Sequence, residues 1–142
     1  MAKVEQLTTE AQWQGVKADP GLSLVFKHST TCPISGAAHD RFMQWADALP
    51  EGRVRLYRVH VIEDRPLSLR IAEETGVAHQ SPQALLMRGG RVLWHASHYA
   101  ITGESLAKAV SDPEAAAAAS HSTSLMEAQA EHKAQLAAQP GR

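Results

Sequence analysis

The 142-residue chain has a single cysteine, Cys32, so no disulfide can close within it and no multi-cysteine zinc site can form. Aromatic residues are sparse, at 5%. Neither sign of charge is in surplus: 14 Lys and Arg against 15 Asp and Glu leave a net charge of −1, so no global electrostatic pull toward nucleic acid or anionic membrane is expected. No apolar run approaches the ~18 residues of a membrane span. The opening residues, MAKVEQLTTEAQWQG, lack the charged-then-apolar profile of a secretory signal. A phosphate-binding loop, a nucleophile elbow, a zinc-protease helix and a dinucleotide fingerprint are all missing as well. What is present, 44% hydrophobic and 20% charged residues, is the composition of one ordinary globular domain. The expectation is a cytoplasmic monomer with neither nucleic acid nor membrane as partner.

Composition changes near Asp112-Pro113. Before it, apolar runs alternate with Gly and Pro; after it comes EAAAAASHSTSLMEAQAEHKAQLAAQPGR, in which Leu125, Met126 and Leu136 are the only large aliphatic residues. That is too little apolar surface to offset the entropy of ordering thirty residues into a core, although five consecutive alanines favour helix locally. The reading is a domain over 1–111 and an alanine-rich tail over 112–142, helical or disordered.

Within the domain, Thr8-Thr9-Glu10 offers a cap and an early acid for a first helix that stops before Asp19-Pro20-Gly21. LSLVFK, from Leu22 to Lys27, reads as a buried strand. Ile34, Ala37, Ala38, Phe42, Trp45, Ala46 and Leu49 then recur at helical spacing, the strongest amphipathic stripe in the chain. Val54 to Ile62 is a second strand and Leu67 to Thr75 a short helix stopped by Gly76. Gln83 to Met87 and Arg91 to Ala96 form a hairpin around Gly89-Gly90, and Thr102 opens a last helix. Two strands joined by a helical crossover are parallel, and the hairpin is antiparallel. The inventory predicts an α/β fold with a mixed four-stranded sheet flanked by helices, which fits a thioredoxin-like architecture.

Cys32 falls between the buried strand and the amphipathic helix, directly before Pro33. Proline is tolerated in a first helical turn, where its missing N–H would be unpaired anyway. Cys32 would therefore cap the helix, whose supporting N-terminus is Pro33, Ile34 and Ser35, and face its free N–H groups and the positive end of its dipole. Both favour thiolate over thiol. Lower basicity also makes the sulfur a good leaving group, so a mixed disulfide formed on it is readily resolved. Ser35 stands where a dithiol enzyme would carry its second cysteine, so any mixed disulfide needs an outside thiol. The alternative is an inert, packed cysteine and an ordinary first-turn serine.

FKHSTTCPIS (26–35), HQSPQ (79–83), WHASH (94–98) and Ile101-Thr102 together resemble the monothiol bacilliredoxin, or YtxJ-like, family of thioredoxin-fold proteins. The similarity covers roughly residues 4–111 and leaves the tail without a counterpart. The family commonly has an acidic residue where Gln80 stands. The resemblance implies bacillithiol as co-substrate and S-thiolated client proteins as partners, with Cys32 as the catalytic thiol. It also implies a cis peptide bond before Pro82 and a Ser81 backbone that pairs with an extended substrate. Residues alone would make that bond trans, since only ~5–6% of X-Pro bonds are cis.

Among the 8 histidines, His28, His95 and His98 cluster near strand ends, but no carboxylate or second cysteine completes a metal site, and none is expected. His28 could tune Cys32 or simply be solvated. Lys27, Arg41 and Arg88 are candidates to meet an anionic thiol. Two alternatives stay open: a non-enzymatic thioredoxin-like binding module, and the same chemistry with glutathione or coenzyme A.

Overall fold

A computed structural model describes residues 2–119. In chain order the elements are β1 (Val4–Gln6), α1 (Glu10–Ala18), β2 (Leu22–His28), α2 (Pro33–Ala48), β3 (Arg55–His60), α3 (Arg65–Thr75), β4 (Gln83–Arg88), β5 (Arg91–Ser97), a 3-10 turn (His98–Ala100) and α4 (Gly103–Ser111). The sheet order is β1-β3-β2-β4-β5. β2 runs parallel to β3 and antiparallel to β4, and β4 and β5 form the antiparallel hairpin.

The sheet thus has five strands rather than the four expected from sequence. The additional one, β1, lies parallel to β3 at the edge, with Val4 opposite Leu56. Three residues with one aliphatic side chain carry no readable period, and the strand exists because β3 offers it a free edge.

Helices cover both faces. Alternation along β2 sends Leu24 and Phe26 toward α2 and α4, where they pack with Phe42, Ala46, Leu106 and Val110. The Phe26 and Phe42 rings stack there with centroids 4.8 Å apart. Val25, on the other face, joins Leu85 and Val59 against Trp13 of α1 and Leu67 and Ile71 of α3. A central strand covered on both sides buries whatever its sequence supplies. Every β2 residue except Leu22 is buried, including Lys27 and His28.

The punctuation works as its chemistry requires. Thr9 and Thr102 cap α1 and α4 through reciprocal capping boxes. Gly89 and Gly90, at φ 57° and 80°, form a two-residue hairpin loop whose positive φ angles suit glycine. Beyond α4, residues 113–119 are helical, Ala116 packs on the core and Glu114 pairs with Arg88 at 3.1 Å. The remainder of the expected tail, 120–142, lies outside the described residues. Among the described residues no helix is long and apolar enough to cross a membrane.

Candidate active site

The site forms where β2 runs out. Val61 N–H donates to the His28 carbonyl at 2.9 Å, closing the end of the β2–β3 pair, and Ser29-Thr30-Thr31 carry the chain across to α2. Cys32 is the N-cap, with φ −102° and ψ 122°, and Pro33 takes the first helical turn. The Cys32 carbonyl accepts the first helical hydrogen bond, from Gly36 N–H at 2.9 Å. Its half-buried thiol makes no capping hydrogen bond. The Ile34 and Ser35 N–H groups lie within the first turn, where no intrahelical carbonyl reaches them. Ile34 is 38% exposed, so apolar surface adjoins Cys32 in sequence at the helix end.

Ser35 turns the other way. Its side chain is fully buried, its Oγ accepts the Ser29 N–H at 2.9 Å, and it pairs with His28 Nδ1 at 2.9 Å. The hydroxyl therefore stitches the start of α2 to the end of β2. His28 is held neutral: burial first, then the charges of His39, His60 and Arg58, push its pKa down to about 4, against a small opposing effect of Asp40. A neutral ring with Nδ1 accepting from Ser35 carries its proton on Nε2. Its face stacks on His39 at 4.4 Å, and Arg58 Nη1 lies 3.0 Å from His39 Nε2. The solvated strand-end histidine that the sequence allowed is thus a buried ring hydrogen-bonded to Ser35. Ser35→Ala would strand a buried N–H and a buried ring nitrogen, and is expected to lower the unfolding free energy by about 2–3 kcal/mol. Urea denaturation at pH 7 measures it.

The Ser81-Pro82 bond is cis, and Pro82 is buried. Lys27 pairs with Gln83, so Pro82 lies at the end of the sheet from which the Cys32 loop departs. His98 N–H donates to the Pro82 carbonyl at 3.1 Å, while Ser81 makes no backbone–backbone hydrogen bond among the described residues. The topology therefore brings Cys32 and the Ser81-Pro82 segment to one end of two adjacent strands.

The cations do not gather around the thiol. Arg41 Nε donates to the Ile101 carbonyl at 2.7 Å and Arg41 Nη2 to the His98 carbonyl at 3.4 Å, fastening the 3-10 turn to α2. Arg88 serves Glu114. Lys27 is fully buried and bonds His79 Nδ1 at 3.1 Å. Neither that pair nor the His28–Ser35 bond was foreseen from sequence. Among the described residues no group of three or more His, Cys, Asp or Glu side chains is placed to hold a metal.

Comparison with known proteins bears on the fold and the family. A solved thioredoxin-fold protein to which an oxidoreductase role is attributed is 34% identical, with 75% of this chain and 92% of that one covered and a TM-score of 0.67. Thioredoxins of Malassezia sympodialis and Trypanosoma brucei brucei share the fold at 17% and 15% identity. Their TM-scores are 0.64 and 0.63, with 80% and 78% of this chain and 93% of each of theirs covered. Residues 5–106 match the family described as monothiol bacilliredoxin BrxC. A lone cysteine at a helix N-cap, at the same end of a thioredoxin-fold sheet as a cis-proline, accords with a thiol redox role, and the chain belongs to the monothiol bacilliredoxin family.

Proposed function

We propose that the protein is a monothiol oxidoreductase that removes bacillithiol from S-bacillithiolated proteins through a mixed disulfide on Cys32. The observation that carries the reading is the pairing of a helix-capping Cys32 with a Ser35 hydroxyl that is turned inward and fully engaged. Nothing at position 35 can resolve a disulfide on Cys32. The Cys32 thiolate attacks the bacillithiol sulfur of the client's mixed disulfide. The old S–S bond breaks, the client leaves as a thiolate, and bacillithiol remains on Cys32. The thiolate of a second bacillithiol attacks the Cys32–bacillithiol bond, releasing the symmetrical disulfide and restoring the Cys32 thiolate. Each step exchanges one S–S bond for another, so no external electron donor is needed until that disulfide is reduced elsewhere.

The helix end supports both transfers, since the Ile34 and Ser35 N–H groups and the dipole favour sulfur that carries negative charge. Ser81, with no backbone–backbone hydrogen bond among the described residues, offers its backbone edge to an extended client segment beside Pro82. The reading places the reaction in the cytoplasm, where a lone thiol stays reduced between turnovers. Incubating a purified S-bacillithiolated client with the chain and free bacillithiol tests it. Recovery of client thiol in proportion to enzyme is expected; no recovery above the uncatalysed rate overturns the reading. Parallel arms with glutathione or coenzyme A adducts show which small thiol the site accepts, and bacillithiol is expected to be fastest.

A further inference from the structure

A lysine with 0% exposure is uncommon, and a buried ammonium ordinarily has a carboxylate partner. Lys27 has none: among the described residues, no Asp or Glu lies within salt-bridge distance of it. Its partner is instead a ring nitrogen, His79 Nδ1 at 3.1 Å, which Ser68 Oγ of α3 also approaches at 3.4 Å. Burial pushes the Lys27 pKa down to about 8, and His79 is shifted down by burial and by the charges of Lys27 and Arg65.

His79 stands three residues before Pro82. A second tether reaches the same segment: Gln83, the cross-strand partner of Lys27, donates from Nε2 to the Ala78 carbonyl at 3.1 Å. Within the segment, the Ser81 hydroxyl is buried without a partner and Ser81 has no backbone–backbone hydrogen bond among the described residues. The two strand-end side chains therefore tie the segment to the ends of β2 and β4, alongside Ser68 on His79 and the His98 N–H on the Pro82 carbonyl.

We propose that Lys27 is a positioning residue for the exchange: bonded to His79, its ammonium ties the 78–82 segment to the end of β2 and holds the Ser81 backbone in place for an extended client strand. The proposal rests on the reading of Cys32 given above and adds to it the residue that sets client binding. It acts on docking, through its bond to His79. A misplaced positioning segment can cost up to ~100-fold, and loss of the Lys27 tie is expected to raise KM for the S-bacillithiolated client about tenfold with kcat changed less than about twofold.

The test compares the full-length chain with Lys27→Met, His79→Phe and the double variant. Each single variant is expected to raise KM, the double to be no worse than either single, and iodoacetamide to alkylate Cys32 at the wild-type rate. Hydrogen–deuterium exchange across 78–83 is expected to rise in all three. An unchanged KM in Lys27→Met, or single effects that multiply in the double variant, overturns the proposal. If the wild type itself releases no client thiol, the reading of Cys32 fails and exchange alone judges the tether. Unaltered exchange across 78–83 in Lys27→Met then refutes it.

Discussion

Cys32→Ser is expected to lower client dethiolation by at least about 10³-fold while leaving the protein slightly more stable. A serine hydroxyl is scarcely ionised near neutral pH and forms no stable bond with a sulfur leaving group, so the nucleophile is lost rather than weakened. The structure separates that loss from any folding defect. The Cys32 thiol makes no capping hydrogen bond, and serine is among the preferred N-caps because its oxygen accepts from the first turn. A gain of about 0.5–1 kcal/mol is therefore expected alongside inactivity. Turnover of a purified S-thiolated client and a urea titration on the same preparation give both numbers. Substantial residual turnover in Cys32→Ser would mean that another group carries the reaction.

Stability is expected to climb with pH in two separate windows. His28 titrates near 6.5 when unfolded and at about 4 in the fold, where burial is the leading cause. Between those values the unfolded chain binds a proton that the folded chain refuses. The contribution is complete above ~6.5 and is lost as pH falls toward 4, a span worth up to about 3 kcal/mol. His39, lowered chiefly by burial and then by Arg58, adds in the same direction. Lys27 repeats the logic at the alkaline end. Its pKa falls from 10.5 to about 8, so the unfolded chain holds the extra proton between them and stability rises again as pH goes up, by a similar amount. His28→Gln keeps an acceptor for Ser35 and is expected to flatten the acid limb. Lys27→Met is expected to flatten the alkaline limb and to add about 1–3 kcal/mol at pH 7, because a buried ammonium is replaced by an apolar chain of similar length. Denaturant midpoints from pH 4 to 10.5 for the three proteins measure both limbs. A flat wild-type profile would contradict the burial of both groups. Lys27→Met would then unite greater global stability with weaker client binding, a separation that a purely structural lysine does not produce.

Much of this was legible in the sequence because local chemistry and global fold agree. Pro33 before an amphipathic stripe marks the start of α2 and puts Cys32 at its cap, and Gly76 and Gly89-Gly90 announce their turns. β1 was not legible, since its three residues become a strand only through the edge β3 offers. The Ser35–His28 bond was hidden for a different reason. It joins residues seven apart across an irregular bend, a contact that no helical or strand period encodes. Lys27 was misplaced by its charge. A lysine at a strand end invites a surface role, yet β2 is the central strand between two helical layers, and its alternation sends Lys27 toward α3. A recognised buried central strand was the available signal: every residue along it had to be accounted for, the charged one included. The cis state of Pro82 came from the family resemblance and not from local chemistry.

The most direct measurement is intact-mass analysis of the protein mixed with excess S-bacillithiolated client and no free thiol. With no second thiol in the chain to resolve it, the reaction is expected to stop after one turn, with one bacillithiol per chain, on Cys32, and one equivalent of client thiol released. A chain recovered unmodified, or locked to the client through a protein–protein disulfide, would contradict the account.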